Sequence, residues 1–170
     1  MNAVVFPTQG KEVPSPIPAQ DTADERIIVS LLEKGRLKEP DLTRARRLQD
    51  EAGGSLLSLL ARLGLVSERD HAEACAEVLG LPLISLKQVP ELPPETMPDA
   101  QPLSTRFLRQ FHVCVLGESD GQLDLWMADP YERYPLEAVQ LATGWLVRPW
   151  VGLRSEIGRA SCRERVWTVV

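Results

Sequence analysis

Four side chains of types that bind metal ions stand in two close pairs along this chain of 170 residues. His71 and Cys75 are four residues apart, and His112 and Cys114 are two apart. Two imidazoles and two thiolates are a ligand set that tetrahedral zinc accepts. The spacing matches no established zinc motif, however, and His71 and Cys75 fall where a helix needs core residues. The sequence therefore predicts buried core residues here and no metal site.

Nucleotide and acid–base chemistry find little support in the sequence. Neither of the glycine-rich patterns that cradle phosphates, G-x-x-x-x-G-K-[ST] and G-x-G-x-x-G, occurs in the chain. Asp129 follows a predicted strand, where loops often carry catalytic groups, but its expected role is to cap the following helix or turn. No Ser-His-Asp arrangement suggests itself, because both histidines lie near apolar runs. We therefore predict no catalytic residue, no cofactor and no enzymatic activity.

Three tryptophans lie on the predicted sheet and form a candidate interaction surface. Trp126 is out of phase with the apolar residues on either side of it, so its side chain points to the opposite face from theirs. Trp145 and Trp150 lie on the last predicted strand, and Tyr131 and Tyr134 follow the strand of Trp126. Aromatic residues of a sheet are usually core, but they are also enriched at protein interfaces. Two alternatives stay open for Trp126: a face covered by a helix, or a patch for a partner.

The composition is that of an ordinary globular chain and disfavours three classes of protein. Nucleic-acid binding by bulk charge is not expected, because the net charge is −5 and the isoelectric point is about 5.1. No run approaches the roughly 18 apolar residues of a membrane span, so direct membrane insertion is not expected. Three widely spaced cysteines do not make a disulfide framework, and no secretory signal is visible. We expect a cytoplasmic protein with reduced thiols.

The first half of the chain predicts a proline-rich leader and four short helices. The prolines from Pro7 to Pro18 block regular structure, so residues 1–22 are expected to be a disordered leader. Apolar residues then recur at helical spacing over residues 23–80, from Asp24 onward, and each predicted helix ends near a glycine. Short loops favour antiparallel neighbours, so these helices are predicted to form a small four-helix bundle.

The predicted bundle contains an internal duplication. The segment Leu-Leu-Glu-Lys-Gly35-Arg-Leu37 resembles Leu-Ala-Arg-Leu-Gly64-Leu-Val66, and a polar helix start follows each within four residues. The start after the second copy, Ser67-Glu-Arg-Asp70, has the spacing of a capping box. The repeated unit is a helix–Gly–helix with a period of about 29 residues.

The second half predicts a small α/β sandwich over residues 81–157. Its predicted elements are a strand at 81–86, a helix at 104–111, strands at 113–116 and 122–128, a helix at 132–143 and a strand at 145–151. Asp120-Gly121 is a strong hairpin turn signal. Pro149 fits best on an edge strand, and Ser155 is expected to cap a final helix. The order predicts a mixed sheet of three to four strands, so the whole chain is predicted to be α+β.

Three segments, taken in order, resemble a known domain. They comprise residues 26–49, residues 63–82, and a third segment that begins with Leu123-Asp-Leu-Trp-Met-Ala-Asp-Pro130 and ends at Ile157. The helical duplication and the strand with its Ala-Asp-Pro ending look like the N-terminal domain of the type II secretion ATPase, protein E. Type IV pilus assembly ATPases share this domain. The resemblance covers about residues 24–157.

The resemblance implies a docking role. Members of this family are cytoplasmic motor subunits, peripheral at the inner membrane, whose N-terminal region docks on the cytoplasmic domain of the membrane protein L. That contact tethers a hexameric ATPase, whose motor domain follows in the complete protein and is not expected in this chain. Four charged helix residues are candidates for the partner contact, and a solvated face is the alternative reading: Arg44, Arg46, Arg47 and Asp50.

Some members of the family bind cyclic di-GMP through a duplicated motif, each copy of which begins Arg-Leu-Gly and ends in Gln. The first copy here keeps Arg26, Gly35 and Gln49 but has Ile28 where the early Gly belongs. The second copy keeps only Gly64 and has Ser, Leu and Val in place of the motif's Arg, Gly and Gln. These losses predict weak binding or none. A cyclic di-GMP sensor of a secretion or pilus ATPase is the alternative function.

The resemblance ends near Gly158. Residues 158–170 are predicted to be a tail outside the family, left by a frame shift, a truncation or an expression vector, with a divergent native ending as the alternative. The predicted organisation is therefore a leader at 1–22, a helical subdomain at 23–80, an α/β subdomain at 81–157 and this tail.

Overall fold

A computed structural model describes residues 20–89 and 103–162 of the chain. In these ranges the elements are α1 (Gln20–Glu33), α2 (Glu39–Ala52), α3 (Leu56–Arg62), α4 (Glu68–Leu79), α5 (Thr105–Gln110), β1 (Val113–Ser119), β2 (Gln122–Met127), α6 (Arg133–Thr143), β3 (Leu146–Val151) and α7 (Arg154–Cys162). None of these helices is long and apolar enough to cross a membrane. The predicted leader as far as residue 19, and the tail from residue 163, lie outside the described residues.

Helices α1 to α4 pack around one apolar core, as the duplicated helical pattern predicts. α1 contacts α4 and α3, and α2 contacts α3. The core side chains come from the apolar stripe of each helix, among them Ile27, Leu31, Leu42, Leu57 and Leu60. The Ser67 hydroxyl accepts a hydrogen bond from the backbone N–H of Asp70 at 3.1 Å. The predicted cap at the start of α4 is therefore confirmed.

Gly35 and Gly64, the paired glycines of the duplication, end their helices in left-handed backbone. Their φ angles are 65° and 68°. A Cβ atom built on either glycine would have no heavy atom within 4 Å, so space does not restrict these positions. The backbone conformation alone favours glycine, because an L side chain is strained at such a φ.

Two helices reach beyond their predicted ends. α1 begins at Gln20 rather than at Asp24, because the prolines of the leader stop at Pro18 and nothing after it opposes a helix. α7 runs on to Cys162, across the predicted end of the family-like region at residue 157. The division of the chain into subdomains stays a prediction.

Two leucines at helix ends are exposed rather than part of the core. Leu141 of α6 is 88% exposed. It stands two residues after the buried Val139, which is about 200° around the helix axis. Leu63 is the residue after α3 and is also exposed.

The second half forms the mixed three-stranded sheet that the sequence predicts, in the order β1-β2-β3. β1 and β2 run antiparallel and are joined at Asp120-Gly121, whose φ angles are 54° and 74°. Two successive positive φ angles are typical of the type I′ turn, which matches the twist of a hairpin. β2 and β3 run parallel, with Trp126 opposite Trp150. α6 provides the crossover that parallel strands require.

The predicted fourth strand is reduced to one bridging residue beside β3. Residues 81–86 do not form a regular strand; Leu83 alone bridges Val151 in parallel. The backbone N–H of Ile84 donates to the Val151 carbonyl at 3.0 Å, and that of Val151 donates to the Pro82 carbonyl at 2.9 Å. Pro82 has no N–H, so it cannot donate to a longer ladder. Among the described residues no other segment pairs with the outer side of β3, so β3 is an edge strand and accommodates Pro149 as predicted.

Helices cover both faces of the sheet. α5 and α6 cover the face that carries Leu123, Leu125 and Met127. α7 and residues 84–89 cover the other face, where Trp126 is fully buried in one cluster with Ile157. The Trp126 indole N–H donates to the Val151 carbonyl at 3.2 Å. Of the two alternatives for Trp126, a face covered by a helix or a patch for a partner, the structure therefore shows the first.

Candidate functional site

A buried carboxylate, Asp129, lies where the helical half of the chain meets the sheet. It follows β2 closely, and its side chain is 8% exposed. Oδ1 accepts a hydrogen bond from the Tyr131 hydroxyl at 3.0 Å, and Oδ2 accepts one from Nη2 of Arg154 at 2.6 Å. The predicted capping role is wrong for this side chain: the backbone carbonyl of Asp129, not the carboxylate, accepts from the Glu132 N–H. The carboxylate instead joins the loop after β2 to the start of α7.

His71 contributes to this cluster from α4. Its Nε2 atom lies 4.0 Å from Oδ1 of Asp129 and 3.6 Å from Sγ of Cys75. Its ring meets the Tyr131 ring edge-on, with the centroids 5.8 Å apart. Burial lowers the pKa of His71 because the charged ring loses its hydration, and the Asp129 charge opposes that effect only in part. The imidazole is therefore neutral at pH 7.

Burial also holds the protons on the neighbouring acidic groups. Desolvation, and then the charge of Asp129, raises the pKa of Cys75 and of Tyr131 well above the usual range of each. Neither side chain is a nucleophile at pH 7, because the ionised form is the reactive one. The Tyr131 ring belongs to the apolar core of the helical half. This arrangement is suited to joining the two halves of the chain rather than to catalysis.

The two histidine–cysteine pairs do not come together. His71 and Cys75 are buried in the helical half, and Cys114 is buried in the sheet. The Cys114 thiol donates to the Val115 carbonyl at 3.7 Å, and burial raises its pKa to about 11. Across residues 20–89 and 103–162, no group of three or more His, Cys, Asp or Glu side chains is placed to hold a metal ion.

A second polar contact joins α7 to the helical half near the surface. Ser155 is not the cap that the sequence predicts, because it lies inside the first turn of a helix that begins at Arg154. Its hydroxyl donates instead to Oε2 of Glu68, in α4, at 2.7 Å. The start of α7 is therefore fixed by the α4 surface as well as by Asp129.

The two polar side chains of the predicted cyclic di-GMP motif donate hydrogen bonds to backbone carbonyls of this chain. Nη2 of Arg26 donates to the Val78 carbonyl at 3.4 Å, and Nε2 of Gln49 donates to the Gly54 carbonyl at 2.9 Å. The two motif glycines end their helices, as described above. No hydrogen bond between described residues joins one of the four motif residues to another. Arg26 does contact position 78, where the second copy of the motif would end.

Arg26 lines an open groove between α1 and α4. The groove has a volume of about 510 Å³ and is lined by Glu25, Arg26, Val29, Ser30, Glu33, Glu77 and Val78. Three of these residues are acidic and one is basic. Glu77 is paired with Lys34. The groove is therefore net acidic, which favours cationic over anionic occupants.

The predicted partner-binding residues share one peripheral helix. Of the residues of α2, only Leu42 and Ala45 are buried. The four candidates are all exposed: Arg44, Arg46, Arg47 and Asp50. Within the described part of the chain, none of the three guanidiniums makes an ion pair or a hydrogen bond. Their donors are free to meet a partner's carboxylates.

A protein-family model described as the MshEN domain matches residues 79–163, from the end of α4 to the residue after α7. The chain belongs to the MshEN domain family. The resemblance to the N-terminal domain of type II secretion protein E, drawn from the sequence segments, is confirmed by the relatives described next.

Two curated relatives of this MshEN chain are subunits of secretion and pilus machines. It is 62% identical over 138 residues to type II secretion system protein E of Xanthomonas campestris pv. campestris, a match that covers 81% of the chain and 24% of that protein. It is 32% identical over 132 residues to the type IV pilus assembly ATPase PilB of Thermus thermophilus, covering 78% of the chain and 15% of that protein. The chain thus spans a quarter or less of these relatives' length.

Solved structures share the fold of the MshEN chain. The N-terminal domain of XpsE matches with a TM-score of 0.75 and 57% identity, over 86% of this chain and 96% of that one. A second crystal form of the same domain matches with a TM-score of 0.61 and 59% identity, over 85% and 97%. A structure of MshE with cdg matches with a TM-score of 0.63 at 24% identity, over 81% and 97%, and shows the fold alone. The predicted α+β fold is confirmed.

Two residues that shape the junction of the MshEN chain were missed by sequence reasoning. Arg154 stands 25 positions after Asp129, and only the folded sheet brings the two together. Gly152 lies against Trp126, where a Cβ atom would fall 1.9 Å from the indole nitrogen. The only sequence feature that pointed to this junction was the position of Asp129 directly after a predicted strand. That position did not indicate that Arg154 is the partner of Asp129.

Proposed function

We propose that this chain is the N-terminal docking domain of a type II secretion protein E and binds the cytoplasmic domain of the inner-membrane protein L. The 62% identity with protein E of Xanthomonas over 138 residues carries this proposal. The shared fold with the XpsE N-terminal domain supports it. In the complete protein a motor domain is a second partner. The proposed location is cytoplasmic, peripheral at the inner membrane through protein L.

The outer face of α2 is the proposed docking surface for protein L. Its three arginines lie within one turn of the helix and carry unused donors. Guanidinium–carboxylate contacts are charge-assisted and often bidentate, so they give specificity as well as affinity. Carboxylates of protein L are the complement of these arginines. Asp50 and Glu51, which are exposed on the same helix, would set the orientation by repelling a misplaced carboxylate.

Titration calorimetry of the chain against the cytoplasmic domain of its cognate protein L tests the docking. The double substitution Arg44→Glu with Arg47→Glu is expected to weaken binding by at least about tenfold, because like charges would face each other. The matched control is Arg106→Glu with Arg109→Glu, on α5. Those two arginines are also exposed and unpaired in the described part of the chain, so the control carries the same change of net charge on another surface.

Two outcomes would count against this proposal in different ways. Absence of binding by the unmodified chain at tens of micromolar would remove the docking assignment itself. Equal binding by both double variants would keep the docking and move it to another face of the chain.

We further infer that the chain hydrolyses no ATP by itself. It lacks a phosphate-cradling glycine-rich loop, and burial raises the pKa of Cys75 and of Tyr131 at its junction, so both keep their protons. Phosphate release by the purified chain is expected to equal that of a buffer blank. Turnover that survives a second purification would contradict this inference.

Cyclic di-GMP sensing is the second candidate function, because the fold is shared with a structure of MshE with cdg. Two positions that the motif reserves for glycine hold core residues here, since Ile28 and Leu57 are both buried. Ser55 stands where the second copy needs Arg, and its hydroxyl donates to Asp24 at 3.1 Å. Bare backbone for close approach and a guanidinium for phosphate are therefore both lost.

The groove beside Arg26 adds an electrostatic reason for weak binding. Glu25 and Glu33 line it, and they would face the phosphates of a dianionic ligand. Calorimetric titration with cyclic di-GMP is expected to give no measurable heat, and Arg26→Ala is expected to behave like the unmodified chain. A dissociation constant at or below about 1 μM, lost in Arg26→Ala, would establish the sensor function instead.

A further inference from the structure

The outer side of α6 carries a second apolar stripe, which faces away from the core. Pro135 and Val139 are the buried residues of this helix. Tyr134, the half-buried Ala138 and Leu141 recur at i, i+4 and i+7, so they lie within about 60° of one another around the helix axis. Leu141 and Tyr134, at 88% and 64%, are the most exposed large apolar side chains of the described residues. A surface helix normally presents polar residues on this side.

Aromatic rings extend the stripe at its Tyr134 end. The centroid of the Tyr134 ring lies 5.3 Å from that of Phe111 and 6.5 Å from that of Phe107. The two phenylalanine rings are 4.9 Å apart, and both side chains are half-buried. We call the stripe and these two rings together the α6 patch. Surfaces lined by aromatic rings are the ones on which proline-rich segments dock.

The chain itself contains a segment of matching chemistry. Residues 13–18 read Val-Pro-Ser-Pro-Ile-Pro, with three prolines and no charged residue. A proline ring fixes φ at about −65°, so a segment of this kind has little conformational freedom to lose on binding. An uncharged segment also loses no ionic hydration when it covers valine-like or aromatic surface. Residues 13–18 therefore suit the α6 patch in both respects.

The segment starts from a point close to the patch. Pro18 stands two residues before the first residue of α1. Burial raises the pKa of Glu132, the residue that caps α6, and the charge of Asp24 in α1 adds to that rise, so the start of α1 lies near the start of α6. Six proline-rich residues extend over about 19 Å. Tyr134 and Leu141 are only about 10.5 Å apart along the helix axis, so the segment is long enough to cover both.

We propose that residues 13–18 bind the α6 patch of their own chain, with the prolines against the aromatic rings. The contact covers the two apolar side chains of α6 that the rest of the fold leaves in water. It ties the region before α1 to the sheet half of the molecule and leaves the outer face of α2 uncovered. The inference thus goes beyond the proposed function and does not depend on protein L.

NMR of the isotope-labelled chain tests the proposal. A nitroxide is attached through Gln9→Cys in a Cys162→Ser background, in which the two other thiols, Cys75 and Cys114, are buried. The label then stands four residues before the binding segment. The amide signals of α6 and of Phe111 are expected to lose intensity and to recover when ascorbate reduces the nitroxide. Because the contact is apolar, the loss should persist in about 0.5 M salt, where charges are screened.

Substitutions on both sides of the contact should remove the loss of intensity. Tyr134→Ser with Leu141→Ser is expected to reduce it by at least about threefold, because truncating the buried anchors of a contact removes most of its binding energy. Leu141→Glu alone is expected to act in the same direction and leaves the three aromatic rings in place. Pro14→Ser with Pro16→Ser should match the first variant from the side of the segment.

The matched control lies on the polar flank of the same helix. Arg133 and Gln140 are also exposed residues of α6, seven positions apart like Tyr134 and Leu141. Arg133→Ser with Gln140→Ser is therefore expected to keep the full loss of intensity. Circular dichroism verifies that every variant is folded.

Three results would overturn the proposal. They are unchanged α6 signals in the unmodified background, a loss of intensity that the substitutions in the α6 patch do not reduce, and a loss that arises only between different molecules in a mixture of labelled chains. The first would leave the patch to another protein, the second would place residues 13–18 elsewhere, and the third would mean that copies of the chain meet. Protein L is absent from the experiment, so its outcome is independent of the docking assay.

Discussion

The guanidinium of Arg154 lies 2.6 Å from the carboxylate of Asp129, although 25 positions separate the two residues in the sequence. The pair joins the loop after β2 to the first residue of α7. His71 of α4 stands 4.0 Å from the other carboxylate oxygen, which also accepts from the Tyr131 hydroxyl. The helical half and the sheet therefore meet at a small polar cluster, and one substitution in it affects both.

Asp129→Ala is expected to lower the free energy of unfolding by about 2–4 kcal/mol, because it leaves the Tyr131 hydroxyl and the Arg154 guanidinium without their acceptor. The figure is below that of a fully buried pair, since Arg154 is 28% exposed and can turn to water. Urea unfolding followed by tryptophan fluorescence measures the loss. The control, Arg133→Ala, removes an exposed pair with Glu137 and should cost less than about 0.5 kcal/mol. Equal losses would contradict the structural role of Asp129.

The free energy of unfolding is expected to fall as the pH drops below about 6.5. Burial lowers the pKa of His71 in the folded chain below that ordinary value. Between the two values the unfolded chain binds a proton that the folded chain does not, so stability is complete at higher pH and is lost on acidification. The pKa of the half-buried His112 is lowered by burial in the same direction.

Urea midpoints at about pH 7.5 and pH 5.5 measure this dependence. Carboxylates contribute to acid sensitivity too, so the informative comparison is with His71→Gln, which removes one titrating group from the junction. The variant should show a flatter dependence on pH than the unmodified chain. If the free energy of unfolding of the variant changes with pH as much as that of the unmodified chain, His71 takes up no proton on unfolding between these pH values.

The two described thiols are expected to resist labelling in the folded chain. Burial raises the pKa of Cys114 to about 11 and that of Cys75 well above its usual range, so little thiolate forms at pH 8 and reagents cannot reach it. A Cys162→Ser variant leaves only these two thiols. Its reaction with a disulfide reagent should be at least about a hundredfold slower in buffer than in denaturant. Similar rates in both conditions would contradict the burial of these cysteines.

Gly152→Ala is expected to destabilise the chain by about 3 kcal/mol or more, or to prevent folding. The new Cβ would fall 1.9 Å from the Trp126 indole nitrogen, which donates to the Val151 carbonyl, so the ring or the backbone must move. Tryptophan fluorescence and thermal unfolding report the change. Gly158→Ala is the matched control. Gly158 lies in α7, where an added Cβ atom would have no heavy atom within 4 Å, so this substitution should be neutral or slightly stabilising. A tolerated Gly152→Ala would show that this packing is loose.

Local features of the chain were determined by the sequence alone. The helix ends at Gly35 and Gly64, the cap at Ser67 and the turn at Asp120-Gly121 each depend on φ angles and hydrogen bonds within a few residues. Such preferences act whatever the rest of the fold does. The mixed sheet followed from the order of these local elements, because a hairpin followed by a helical crossover leaves few other arrangements.

Only the tertiary structure decided which distant groups meet. Trp126 is buried because α7 packs on its face of the sheet, and Asp129 is paired because Arg154 approaches it. The predicted fourth strand is reduced to one residue because only Leu83 bridges Val151. The sequence also could not show that the α2 arginines are unpaired among the described residues, because that depends on where each carboxylate lies in the fold. These contacts join residues far apart in the sequence, where packing and register, rather than local conformational preference, set the free energy.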